Sequence, residues 1–189
     1  MRHKESFFSQ SLKNIKTVGS VTRSSPYLCK EIIKQIEWTD HQVILELGAG
    51  DGVITKFILK KMSGTSTLIA LEINPVFCQD LLAIKDPRLI VIQKDAMHLD
   101  EILKELNIDQ LDHVISAIPF VILPEEDALY IIRAAFNHLK EGGRFLQVHY
   151  SLLAKKMYEK VFGVVQIKFI AFNIPPAFLL MMQKIKKSE

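Results

Sequence analysis

Apolar positions along this chain fall into two kinds of run, and the two kinds alternate. Val43-Ile44-Leu45, Thr67-Leu68-Ile69-Ala70-Leu71 and Leu89-Ile90-Val91-Ile92 are compact β-type runs bounded by polar or turn residues. Between such runs apolar residues recur at helical spacing, as in Leu28, Ile32, Ile33 and Ile36, or Leu129, Ile132, Phe136 and Leu139. Strand and helix in alternation predict an α/β fold: a Rossmann-like, mostly parallel sheet with helices on both faces. The pattern predicts strands over 42–47, 67–71, 89–93, 113–118 and 144–150, then a closing pair over about 164–172 and 177–184. That makes seven strands, the last two an antiparallel pair joined by Asn173-Ile174-Pro175-Pro176. One domain over 1–189 accounts for the whole pattern.

Helix boundaries follow from local signals. Pro26 suits the first turn of a helix capped by Ser24 or Ser25, and Asn74-Pro75 is a second start of the same type. A helix over 53–62 would end on Lys60 and Lys61 with Gly64 as its cap. Asp100 would cap a short helix over 101–106. A helix over 125–140 opens on acidic residues and stops before Gly142-Gly143, and one of about ten residues leads to Phe162-Gly163. Residues 1–18 place Phe7, Phe8, Leu12, Ile15 and Val18 near one helical face, with Arg2, Lys4, Lys13 and Lys16 around the rest. Two readings of that basic segment stand: a helix packed on the domain, or one lying on a membrane surface.

Composition narrows the class without naming a partner. Hydrophobic residues are 49% and charged residues 24%, ordinary for a folded chain. A formal net charge of +3 is too weak to indicate nucleic acid by itself. The two cysteines, Cys29 and Cys78, form no CxxC and read as reduced thiols on helices. The six histidines form no metal-ligand cluster, so no metal is expected. The first apolar run is too short and polar for a signal peptide, and the apolar stretch over 170–182 is broken by Pro175-Pro176. No transmembrane segment and a cytoplasmic location are therefore expected.

The candidate chemistry centres on Glu46-Leu47-Gly48-Ala49-Gly50-Asp51-Gly52, a glycine-rich turn between a strand and a helix. Glycines there permit a tight turn and close approach of a ligand to the backbone. A phosphate loop would end in Lys and Ser or Thr, and a dinucleotide fingerprint would need glycine at Val53; neither is present. Glu72 follows the second strand, twenty residues after Gly52, where a doubly wound sheet places an acid on ribose hydroxyls. A carboxylate suits a vicinal diol because it accepts two hydrogen bonds. Asp95 follows the third strand, and Ser116-Ala117-Ile118-Pro119-Phe120 ends the fourth.

In this order and spacing, these four signals resemble class I S-adenosylmethionine (SAM) methyltransferases. Within them the chain resembles the branch of the rRNA adenine dimethyltransferases and the bacterial phospholipid N-methyltransferases. The amphipathic start, the stretch over 18–25, Ser116-Ala117-Ile118-Pro119, Leu146-Gln147-Val148-His149-Tyr150 and Asn173-Ile174-Pro175-Pro176-Ala177 resemble the phospholipid enzymes. The rRNA enzymes have an Asn-led motif where this chain has Ser116-Ala117-Ile118-Pro119-Phe120, and usually a further helical domain. The phospholipid branch typically has Gly in place of Ala117 and Thr in place of His149.

The resemblance implies SAM as cofactor, held by Glu46, Gly48, Ala49, Gly50, Gly52, Glu72, Ile73, Asp95, Ala96 and Ser116, with Ser20 and Val21 covering it. Asp95 would take the adenine amino group, with Met97 packed on the ring. Tyr27 and Phe120 would line an acceptor pocket. Ser116, Tyr27, His149, Tyr150 or water would accept the amine proton. The implied reaction is methylation of a phospholipid headgroup amine such as phosphatidylethanolamine, by an enzyme bound peripherally to the membrane. Alternatives are an rRNA adenine or small-amine methyltransferase and a SAM-fold binding protein without catalysis. RNA is the less favoured partner, and headgroup, number of methyls and oligomeric state are left open.

Overall fold

A computed structural model describes residues 23–185, arranged as a seven-stranded sheet flanked by six helices. In chain order the elements are α1 (Pro26–Ile33), β1 (Val43–Leu47), α2 (Val53–Leu59), β2 (Thr67–Leu71) and α3 (Pro75–Leu82). Then come β3 (Leu89–Ile92), α4 (Leu99–Glu105), β4 (Leu111–Ser116), α5 (Glu125–His138) and β5 (Leu139–His149). The chain closes with α6 (Lys155–Phe162), β6 (Gln166–Ile170) and β7 (Ala177–Gln183). The expected helix over 1–18, and Ser20 and Val21, lie outside the described residues.

The strands run in the order β3-β2-β1-β4-β5-β7-β6. The first five pair in parallel, and β7 is antiparallel to both β5 and β6. The α/β sheet with a terminal antiparallel pair is thus the architecture expected. Parallel strands with helices on both faces bury both sides, which is why these runs are apolar almost throughout. Leu45, Leu47, Val114 and Phe145 point to one core with Ile131, Ile132 and Tyr158. Ile44, Ile115, Leu146 and Leu179 point to the other with Leu28, Ile32, Ile54 and Ile58.

Several boundaries differ from the expectation, each for a local reason. The fourth strand begins earlier, at Leu111, and leaves the ladder after Ser116. Ala117 still donates to the Leu47 carbonyl, but Pro119 has no N–H to continue. Gly142-Gly143 do not mark a break after the helix; they sit inside β5, which starts directly after α5 and five residues earlier than Arg144. There Gly142 N donates to Lys184 O and Lys184 N to Gly143 O, at 2.8 and 2.9 Å. A Cβ at Gly143 would lie 2.8 Å from Asp112 O, so β4 passes too close for any side chain.

Asp95, not Asp100, supplies the cap near α4, through its Oδ1 to Met97 N at 3.0 Å. The 3₁₀ turn it starts, Ala96–His98, runs straight into α4 and leaves Asp100 within the first turn. The helix after the glycine loop stops at Leu59 with Lys60 as its C-cap, and Gly64 does not take the left-handed conformation of a cap. α1 stops at Ile33, short of Ile36. The remaining ends fall within two residues of the expectation. Ser25, one of the two candidate caps, accepts from Leu28 N, and Asn74 accepts from Val76 N.

Because β7 reverses direction, the turn between β6 and β7 returns to the carboxyl edge of the parallel strands: Phe178 pairs with His149 and Ala177 with Ile170. Asn173 is buried beneath that turn. It accepts from Ser25 N at 2.8 Å, donates to Pro175 O at 2.7 Å and bonds the Tyr150 hydroxyl. Ser25 Oγ donates to Phe172 O at 2.7 Å, so α1, β5 and the turn form one tied unit. Both cysteines are buried and unbridged, on α1 and α3 as expected.

Candidate active site

The chain passes from β1 to β2 on one side and reaches β4 on the other, which makes β1 and β4 the switch point of the sheet; the ligand crevice of such a fold lies outside their carboxyl ends. Gly48 N and Ala49 N both donate to the Leu71 carbonyl, at 2.8 and 3.3 Å, turning the chain sharply off β1. Gly48 has φ +70°, and a Cβ there would lie 3.0 Å from Ile118 Cγ1 and 3.4 Å from Ile118 N. The two loops therefore touch at Gly48. Gly50 has φ +56°, and a Cβ there would meet no atom of the described residues within 4 Å. Gly52 serves packing: it is the N-cap of α2, and a Cβ would lie 3.0 Å from Leu81 Cδ2.

Glu72 fixes the glycine loop from β2. Its Oε2 accepts from Gly50 N and its Oε1 from Asn74 N, both at 2.8 Å. Each carboxylate oxygen retains a second acceptor position, which is what a vicinal diol requires. Ile73 is half-buried beside it, and Asp95 and Ala96 stand at the end of the neighbouring β3. Glu46, Gly48, Ala49, Gly50, Glu72, Ile73, Asp95 and Ala96 are thus brought to adjoining strand ends. Open space above Gly50 beside a carboxylate with acceptor capacity fits a nucleoside, so these residues suit SAM.

Ser116 is fully buried, and its Oγ accepts from Ile118 N at 3.3 Å. Gln147 stands opposite it on β5, an amide to which the sequence alone assigns no role. Its Nε2 donates to Ile118 O at 2.9 Å and Val148 O at 2.8 Å, holding the turn after β4 from beneath. A single amide within the apolar run Phe145-Leu146-Gln147-Val148 was the available signal.

The expected acceptor residues separate. Phe120 is fully buried, edge-on to Tyr158 at 6.2 Å between centroids. His149 is buried too, with Nε2 2.9 Å from the Tyr158 hydroxyl, and desolvation lowers its pKa to about 4. It is a neutral core imidazole at pH 7. Tyr27 is 42% exposed and packs edge-on against Phe172 at 5.2 Å.

Glu46 is 1% exposed, and its Oε2 accepts from Thr55 Oγ1 at 2.6 Å. Burial raises its pKa to about 8, overriding the hydrogen bond from Thr55, which acts the other way. The folded value lies above the usual 4.5, so the stability from this group is full below pH 4.5 and is lost as pH rises through about 8. His149 acts oppositely: its contribution is present above 6.5 and lost on acidification toward 4. The window from pH 6.5 to 8 therefore separates the two. There, thermal melts of the unliganded protein should fall by on the order of 3–5 °C per pH unit. Glu46→Gln should flatten that slope. An unchanged slope in Glu46→Gln would show that Glu46 is already ionised.

Residues 13–163 match the family model for ribosomal RNA adenine dimethylase. The chain is 29% identical over 185 residues to an ornithine lipid N-methyltransferase of Singulisphaera acidiphila, covering 96% of each chain. Its fold is similar to precorrin-6y C5,15-methyltransferase from Geobacter metallireducens, with a TM-score of 0.70, 15% identity, and 88% and 92% of the two chains covered. It is also similar to the Thermus thermophilus 16S rRNA N2 G1207 methyltransferase, a structure with AdoMet and guanosine. There the TM-score is 0.64 at 20% identity, covering 88% of this chain and 45% of that one.

Proposed function

We propose, from the premise that this chain belongs to the ribosomal RNA adenine dimethylase family and is a SAM-dependent methyltransferase, that its acceptor is the primary amine of a membrane-lipid headgroup. The observation that carries this is the end-to-end likeness to a lipid N-methyltransferase, over 96% of each chain. Phosphatidylethanolamine and an ornithine lipid share the amine the reading requires.

SAM supplies an electrophilic methyl group when bound; the chain's residues bind, orient and exclude water. Gly48 and Gly50 keep the loop free of side chains, and Glu72 would receive the ribose diol. Glu46 would accept hydrogen bonds deep at the end of β1. Gln147 and Ser116 hold the turn after β4 in place on the acceptor side. With His149 neutral and paired to Tyr158, the amine proton would pass to water or to a group at the mouth.

The test is methyl transfer from labelled SAM to vesicles containing phosphatidylethanolamine, ornithine lipid or neither, beside a vesicle-free RNA arm. Label should enter lipid only where an aminolipid is present, and comparing the two lipids identifies the headgroup. The family description favours RNA as a second reading; label in RNA and none in either lipid would replace the lipid reading with it.

A further inference from the structure

The carboxyl edge carries an exposed apolar rim. Three successive loop regions contribute: Val121 after β4, Leu152 and Leu153 after β5, and Phe172 and Ile174 in the β6–β7 turn. Leu153, Ile174 and Phe172 are 84%, 87% and 73% exposed, far more than large apolar side chains at a settled surface. Tyr27 joins them through its edge contact with Phe172. β4, β5 and β7 are neighbours in the sheet, so the three loop regions follow one another along the carboxyl edge, where the crevice lies.

The turn is not free to fold these side chains inward. Ser25 and Asn173 tie its backbone to α1 and β5, and Asn173 is itself buried. Lys155 and Lys156 follow closely after Leu153, with Lys156 exposed and Lys155 paired to Glu159 at 2.7 Å. Among the described residues no helix is long and apolar enough to cross a membrane. Apolar tips, two of them on a tied turn, and a tyrosine beside them are complementary to a bilayer interface. Lys156 adds a cation while Glu125, Glu126 and Asp127 open α5 on the same edge, so the apolar contact carries the docking.

We infer that this rim is the bilayer-docking surface: Leu153, Phe172 and Ile174 enter the interface and seat the crevice mouth against the headgroups. The inference rests on the lipid-acceptor reading and says how that acceptor is reached. A two-chain lipid keeps its acyl chains in the bilayer, so the mouth must come to the membrane. The rim places the contact at the mouth itself, whatever residues 1–22 add.

The test compares the full chain with the triple variant Leu153→Ser/Phe172→Ser/Ile174→Ser on vesicles of phosphatidylcholine, phosphatidylglycerol and phosphatidylethanolamine. Flotation should show at least tenfold weaker vesicle binding, with a matching rise in KM for vesicle lipid. SAM affinity and methylation of a short-chain aminolipid below its micelle concentration should be unchanged. As a second probe, Leu153→Trp should show blue-shifted emission on adding vesicles; Trp38, the chain's other indole, precedes β1 at the opposite edge. A wild type that methylates vesicle lipid, with the triple variant equal to it in binding and KM, overturns the rim alone. So does a wild-type dimer that the variant dissociates without loss of vesicle binding, or unshifted emission from the Leu153→Trp variant on vesicles that bind it. A wild type that methylates neither vesicle lipid nor the short-chain aminolipid overturns the function reading instead.

Discussion

Glu72→Ala should abolish measurable turnover and weaken SAM binding by at least about 100-fold in calorimetry, some 2.7 kcal/mol. The expectation has two parts. The side chain would receive the ribose diol, and it also holds Gly50 N and Asn74 N at 2.8 Å. Hydrogen bonds to a charged group contribute about 1.5–3 kcal/mol each. Losing both frees the glycine loop as well as the ligand contact. A fall in melting temperature on the order of 5–10 °C should accompany the loss of binding.

Glu72→Gln should fare almost as badly, although it is nearly isosteric. Both carboxylate oxygens accept from backbone N–H groups, and an amide offers one acceptor and one donor. One of the two N–H groups would then face an NH₂. If Glu72→Gln bound SAM like the wild type, the two-acceptor clamp would be wrong. If Glu72→Ala did so, the whole ribose assignment would fall.

Gly48→Ala and Gly50→Ala should differ sharply in what they damage. Both positions have positive φ, so alanine at either costs about 1–2 kcal/mol in backbone conformation. At Gly48 the new methyl would also sit 3.0 Å from Ile118 Cγ1, forcing apart the β1 and β4 loops. That variant should lose stability and binding together, with turnover down on the order of 100-fold or more, about 2.7 kcal/mol. At Gly50 the methyl meets no described atom, so the melting temperature should fall only by that backbone cost, on the order of 2–8 °C, while SAM affinity drops about tenfold or more, roughly 1.4 kcal/mol. Equal stability losses would mean the contact at Ile118 yields easily. Unchanged affinity in Gly50→Ala would place the cofactor away from this loop.

The sheet was legible because its strands are nearly continuous apolar runs and its helices carry periodic stripes. The glycine loop and the acid after β2 were legible because local spacing places them at neighbouring strand ends. What escaped the sequence depended on partners distant in the chain. Gly142-Gly143 looked like a helix stop, but the Asp112 carbonyl beside Gly143 demands glycine there for a reason only the assembled sheet contains, and Gly142 has positive φ. Phe120 and His149 looked like site residues; their common neighbour Tyr158, on α6, draws both into the core. Asn173 looked like a turn residue, yet it joins three separate segments.

The reversal at β7 sets where anything attached to the chain would stand. β7 begins beside His149 at the mouth and runs back to Gln183 opposite Arg144, so the described chain leaves at the sheet's far edge. Arg23, where the described chain begins, is paired with Asp51 of the glycine loop at 2.9 Å. A reporter or immobilisation handle carried on from Ile185, where the described chain ends, would start from the side away from the crevice. Capture on a sensor chip through that end of the sheet therefore presents the mouth outward, toward vesicles flowed across the surface.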